Sequence, residues 1–152
     1  MSQLHEQDFY AWTQQQVHLL KDDKLDEIDV TALIEELESM GQREKRELIS
    51  RLEVLLMHLL KWQYQPERQG KSWEFAIQEQ RSRIQDHLSE NPSLTNPDSL
   101  GLGLIKAYNY AVRKAIYETG FKAASFPKEC PYSFEKIMDC DFYPCDEDMN
   151  EN

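Results

Sequence analysis

Leu48-Ile49-Ser50-Arg51-Leu52-Glu53-Val54-Leu55-Leu56-Met57-His58-Leu59-Leu60-Lys61-Trp62 is the stretch that decides the fold. Leu48, Leu52, Leu55, Leu59 and Trp62 recur at alternating steps of four and three, which aligns one stripe of an α-helix for burial. The helical pattern covers residues 42–65. Pro66 ends it, because proline offers no N–H to the ladder and its ring clashes with the preceding turn. No alternating strand pattern of useful length and no internal repeat occurs elsewhere. The sequence therefore predicts an all-α fold: residues 1–145 as a single bundle-like domain of about five main helices, with an irregular C-terminal segment. Residues 146–152 form an acidic tail that is expected to be disordered.

Outward from this helix, the same reasoning sets the other elements. A helix is predicted from about Asp8 to Asp22, with Phe9, Trp12, Gln16, Leu19 and Leu20 near one face, and Asp22-Asp23-Lys24-Leu25-Asp26 breaks it. Asp29 is an N-cap for the next helix, whose apolar stripe is Val30, Leu33, Leu37 and Met40 and whose stop is Gly41. After the Pro66 loop, Ser72 is expected to cap a helix that turns Trp73, Ala76, Ile77, Ile84 and Leu88 inward. Asn91-Pro92 through Pro97 interrupts, and a further helix runs from about Asp98 to Gly120. Ser133 can cap a last short helix to Met138, while Phe126-Pro127 and Cys130-Pro131 favour extended backbone.

Composition bounds the function classes. The 152 residues suit one domain, large enough to bury roughly 70% of the surface its unfolded form exposes. Three Trp, seven Tyr and six Phe can anchor a core. The net charge of −11 is uneven: residues 1–42 hold ten acids against two bases, and residues 43–83 hold nine bases against six acids. Overall acidity argues against non-specific binding to nucleic acid or an anionic membrane, because phosphate contacts need clustered cations. The positive centre leaves a local exception. Cys130, Cys140 and Cys145 make an odd set, poor as a disulfide framework. The start, Met1 to Glu6, lacks the pattern of a signal peptide, and no apolar run approaches the ~18 residues of a membrane span. A cytoplasmic setting without a membrane is expected.

The long helix carries a second, polar stripe. At about 100° per residue, Arg51, Val54, His58, Lys61 and Gln65 fall within roughly 80° of one another, beside the leucine seam. On the Ser72 helix, Gln80 projects into the apolar face and Arg81 borders it. Glu36 sits at the margin of its own helix's stripe. The plainest account is a network of ion pairs and hydrogen bonds that registers packed helices, since half-buried polar groups must find partners.

The alternative is a site, with His58, Arg51 and Arg81 as catalytic candidates and Glu36, Lys61, Trp62, Trp73 and Gln80 as binding candidates. Arg51 and His58 have six residues between them, Arg81 and His87 five. Both resemble the Arg-x(4–6)-His arrangement of metal-independent ribonucleases on small helical bundles (the HEPN superfamily), where His serves as acid/base and Arg stabilises developing charge. Two loosely spaced common residues match by chance in many helical proteins. Trp62 and Trp73 flank the Pro66 loop among Tyr64, Arg68 and Lys71, where they can pack across the junction or stack on single-stranded nucleic acid. Glu35-Glu36 with His58 is the nearest approach to a metal set, but no Glu-x-x-His or Cys-x-x-Cys occurs, so no metal or cofactor is expected.

An ordered set of motifs carries a resemblance: Leu33-Ile34-Glu35-Glu36-Leu37-Glu38, Gly41, His58 to Pro66, Ser72-Trp73, Gln80-Arg81, Pro92-Ser93-Leu94 and Phe126-Pro127-x-x-Cys130-Pro131-Tyr132. With Asp8-Phe9-Tyr10-Ala11-Trp12 and Asp141-Phe142-Tyr143-Pro144, these resemble the bacterial family called domain of unknown function 29, from about Asp8 to Pro144. The resemblance implies a compact, mostly helical protein and carries over no catalytic residue. The sequence thus points first to a non-enzymatic helical interaction or regulatory module, acting on a protein partner or as a homo-oligomer. A ribonuclease-like enzyme using a His/Arg pair is the alternative.

Overall fold

The computed structural model describes residues 2–145, so the expectation for the acidic tail lies outside the described residues. The chain forms two compact units, Met1–Arg43 and Glu44–Asn152. Among the described residues there is no strand, and no helix is long and apolar enough to cross a membrane.

In the first unit, α1 (Ser2–Gln7) leads into α2 (Phe9–Lys21). The Asp8 carboxylate starts α2 by accepting the Ala11 N–H at 3.0 Å, which satisfies one of the donors a helix start leaves open. The acidic break after α2 turns on Asp23, which adopts φ 60, a left-handed conformation that Asp tolerates better than most residues. Asp29 then caps α3 (Val30–Tyr64) by accepting the Ala32 N–H at 3.2 Å. The backbone N–H of Asp29 is itself held by Gln16 Oε1 at 2.8 Å, which explains why Gln16 is buried beside Trp12.

Gly41 does not stop this helix. The two helices predicted over 29–40 and 42–65 are one α-helix of 35 residues. A glycine ends a helix when it takes up a left-handed conformation, and Gly41 does not; of the glycines, Gly120 does, at φ 73, as the cap of α5. The Gln42-Arg43-Glu44-Lys45-Arg46-Glu47 run that follows consists of strong helix formers, which carry the ladder through a glycine costing about 1 kcal/mol.

In the second unit, α3 continues to Tyr64, and a 3-10 turn over Pro66–Arg68 leads to α4 (Lys71–Glu90). Ser72 does not cap α4. The Gly70 carbonyl already accepts the Glu74 N–H at 3.0 Å, so the ladder begins ahead of Ser72. After a 3-10 turn over Pro92–Thr95 comes α5 (Pro97–Thr119), capped by Asn96. A 3-10 turn at Ala123–Ser125, α6 (Phe134–Met138) and an irregular strap from Asp139 to Cys145 complete the described part of the unit. Ser133 caps α6 as expected, accepting the Lys136 N–H at 3.2 Å. Four long helices therefore carry the fold.

The core of this unit is the leucine seam. Leu52, Leu55, Leu56, Leu59 and Leu60 are fully buried with Ile77 and Ile84 of α4 and Ile137 of α6. From α5, Ala107, Ala111 and Ala115 present small side chains at steps of four, a low ridge that lets neighbouring side chains pack closely against the helix.

Candidate functional site

The predicted site residues on α3 and α4 are spread over several local networks. His58 is half-buried and its Nδ1 lies 2.8 Å from the Val54 carbonyl. A carbonyl only accepts, so Nδ1 carries the proton and Nε2 of the neutral ring holds the lone pair. Burial lowers the His58 pKa; the Val54 hydrogen bond opposes this, nearby Lys61 adds to it, and Glu118 opposes it.

Lys61 is held from two sides. Its Nζ donates to Glu118 Oε2 of α5 at 2.6 Å and stands 4.8 Å over the centre of the Trp73 ring, so the ion pair is braced by a cation–π contact. Trp62, on the same turn, meets the Tyr143 ring of the strap at 4.7 Å.

Arg81 is buried to 4% exposure and serves the strap. Its Nε–H donates to the Ile137 carbonyl at 2.8 Å and its Nη2 to the Phe142 carbonyl at 2.7 Å, with the guanidinium 5.6 Å from the Tyr143 ring centre. Burial lowers its pKa, against the opposing effect of Tyr143, Asp139 and Cys140. One turn earlier, Gln78 Nε2 donates to the Cys140 carbonyl and to the Tyr143 hydroxyl, both at 2.8 Å. Arg81 Nη1 and Gln80 Oε1 remain as buried polar atoms without a protein partner, the situation that ordered water ordinarily relieves.

Arg51 lies on another network. It donates from Nε and Nη2 to Glu47 Oε1 at 3.2 and 3.0 Å. Glu47 Oε2 in turn faces His87 Nδ1 at 3.5 Å, and His87 Nε2 lies 2.9 Å from the Glu44 carbonyl and 3.5 Å from Glu44 Oε2. Neither Arg51 nor Arg81 is hydrogen-bonded or ion-paired to His58 among the described residues. Four of the eight sequence candidates thus lie in two contacts that adjoin on α3, Lys61 with Trp73 and, through Tyr143, Trp62 with Arg81, whereas His58 and Arg51 face separate partners.

Glu36 belongs to the first unit, where it pairs with His5 Nε2. His5 lies edge-on to Trp12 at 4.5 Å, and Phe9 stacks beside Trp12 at 5.7 Å. Glu36, Trp12 and Phe9 border a groove of about 350 Å³ between α2 and the first part of α3. Its walls are apolar, and several are open to solvent: Phe9 49%, Val17 41%, Leu20 45%, Leu37 65% and Met40 56% exposed. Sequence periodicity gave Val30, Leu33, Leu37 and Met40 as one apolar stripe. In the structure Leu33 is half-buried, while Val30, Leu37 and Met40 are more than half exposed. The signal for this surface was present as an apolar stripe; periodicity shows that a face is apolar and does not show what covers it.

Of the remaining polar groups, Cys130 is a poor nucleophile, because burial raises its thiol pKa against the weaker effect of its hydrogen bond to the Tyr132 carbonyl.

Fold and surfaces together define a mostly helical class of protein, with one helix of 35 residues and an open apolar groove near that helix's start. Over residues 4–143 the chain matches the family described as Domain of unknown function DUF29, and it belongs to that family. No curated protein and no solved structure matches it.

Proposed function

We propose that this protein is a non-enzymatic interaction module that receives an amphipathic helix of a partner protein in the groove between α2 and α3. The carrying observation is the row of exposed apolar side chains from Phe9 to Met40 around that groove. Exposed apolar surface gathered at one concave place marks a binding surface, and a groove between two helices suits the apolar face of a third. Met40 adds a flexible side chain that adapts to what it meets.

Charge selects the occupant. Residues 1–43 hold ten acids against Lys21, Lys24 and Arg43. A helix with apolar residues at i, i+3/i+4 and i+7 and Lys or Arg beside them complements both features. A second copy docking through the same unit would bring like charges together, which disfavours a symmetric dimer there. A cysteine set without a disulfide framework supports a cytoplasmic setting.

Selection from a displayed library of helical peptides tests this reading. Enrichment of apolar i, i+3/i+4, i+7 patterns flanked by Lys or Arg is expected with the native protein and not with Leu37→Glu. Enrichment indifferent to Leu37, or to peptide charge, would overturn it. The ribonuclease-like reading with His58 and Arg51 or Arg81 has the opposing observation that both arginines are engaged elsewhere. Equal cleavage of mixed RNA by the native protein and His58→Ala removes it.

A further inference from the structure

Glu44 and Glu47 stand three residues apart on α3, and such positions share one face of a helix. They meet His87, from the last turn of α4, whose side chain is 6% exposed while the two carboxylates are 47% and 44% exposed. We infer that Glu44, Glu47 and His87 form a binding site for a first-row divalent cation such as Zn²⁺.

The ring orientation carries the argument. His87 Nε2 lies 2.9 Å from the Glu44 main-chain carbonyl. Because that oxygen only accepts, Nε2 must hold a proton, and the neutral ring then points its Nδ1 lone pair toward Glu47 Oε2. The separation there is 3.5 Å, beyond the usual hydrogen-bond range. Two acceptors facing one another are complemented by a second ring proton or by a cation that both can bind. A tetrahedral zinc with bonds of about 2.0–2.2 Å holds its ligand atoms roughly 3.3–3.5 Å apart, which the pair already satisfies.

The supporting groups are also in place. Arg51 holds Glu47 Oε1 from Nε and Nη2 and so turns Oε2 toward the ring. The Glu44 carbonyl fixes the imidazole from the other side. A ligating His that donates its second N–H to a carbonyl, and a ligating carboxylate that is itself hydrogen-bonded, are the ordinary outer partners of a metal site. One ligand atom from each of the three residues lies within 4.8 Å of the others. Glu44 Oε2 now lies nearest Nε2, at 3.5 Å. Its half-exposed side chain must rotate toward Nδ1 to complete the set, and water reaches the open side. One His and two carboxylates favour zinc and its neighbours over calcium or magnesium, which take oxygen alone. A bound ion would tie α3 to the end of α4. This inference is independent of the groove.

The competing account is an imidazolium paired with two carboxylates, which has the same heavy-atom positions and binds no metal. Zinc titration of the full chain by calorimetry separates the two, using a Cys140→Ser/Cys145→Ser background because exposed thiols bind zinc themselves. Cobalt substitution adds a visible absorption that reports the ligand set. One equivalent of zinc is expected, with affinity lowered about 10–100-fold in Glu47→Gln and in Glu44→Gln, and lost in His87→Ala. His87 is buried, so its variant is read only if it folds; the two glutamine variants alter half-exposed side chains and decide the matter without it. Absence of zinc binding in the background protein, or affinity in both glutamine variants equal to that of the background protein, would overturn the site.

Discussion

Arg81 donates its Nε–H to the Ile137 main-chain carbonyl at 2.8 Å across 56 residues of sequence, and its Nη2 reaches the Phe142 carbonyl. This side chain, one of three catalytic candidates in the sequence, is a clamp between α4 and the C-terminal strap. Arg81→Ala leaves two carbonyls unserved at a buried position and is expected to cost about 2–5 kcal/mol. Arg81→Lys recovers only part, because one ammonium does not reproduce the two-pronged fork. Urea denaturation measures both. Native stability in Arg81→Ala would show that the clamp contributes nothing.

Gly41 gives a prediction of opposite sign. It sits inside α3 with ordinary helical backbone, and a Cβ built there meets nothing within 4 Å. Gly41→Ala is therefore expected to stabilise the chain by about 0.5–1 kcal/mol, seen as a higher melting temperature. A glycine acting as a left-handed helix stop would respond with a loss.

Leu55 and Leu59 are both fully buried in the seam. Truncating either to Ala removes apolar contacts and leaves a cavity, for an expected cost of about 2–5 kcal/mol. Unchanged denaturation midpoints in both would refute the placement of the seam.

His58 makes stability depend on pH. Burial holds its folded pKa below the ordinary value, so as pH falls through about 6.5 the unfolded chain takes up a proton before the folded chain does. Stability should fall with that protonation, and the loss continues down to the lowered folded pKa. In His58→Gln the slope between about pH 7.5 and 5.5 is expected to flatten. Parallel slopes in the two proteins would contradict the depressed pKa.

The physical reasons separate what the sequence disclosed from what it concealed. The leucine seam was legible because burial against neighbouring helices imposes a period of its own. The Asp29 and Ser133 caps were legible because each acts within three residues of itself. The continuity of α3 through Gly41 was not, since glycine marks a helix end only in one of its backbone conformations. Arg81 concealed its role because its partners are main-chain carbonyls, which leave no trace in residue identity. Glu44-x-x-Glu47 is a visible spacing, but its meeting with His87 depends on how α4 packs on α3. The groove was visible only as an apolar stripe, because no residue pattern announces that a face is left open.

The most direct test of the groove is a calorimetric titration with a synthetic helix of about 18 residues, five turns long, with Leu at i, i+3/i+4 and i+7 and Lys at the flanks. Leu37→Glu makes the chain more acidic, so non-specific attraction to this peptide should strengthen, while docking into the groove should weaken. The account predicts saturable binding by the native protein and affinity at least about tenfold lower in Leu37→Glu at unchanged melting temperature. Equal or tighter binding by Leu37→Glu would contradict it.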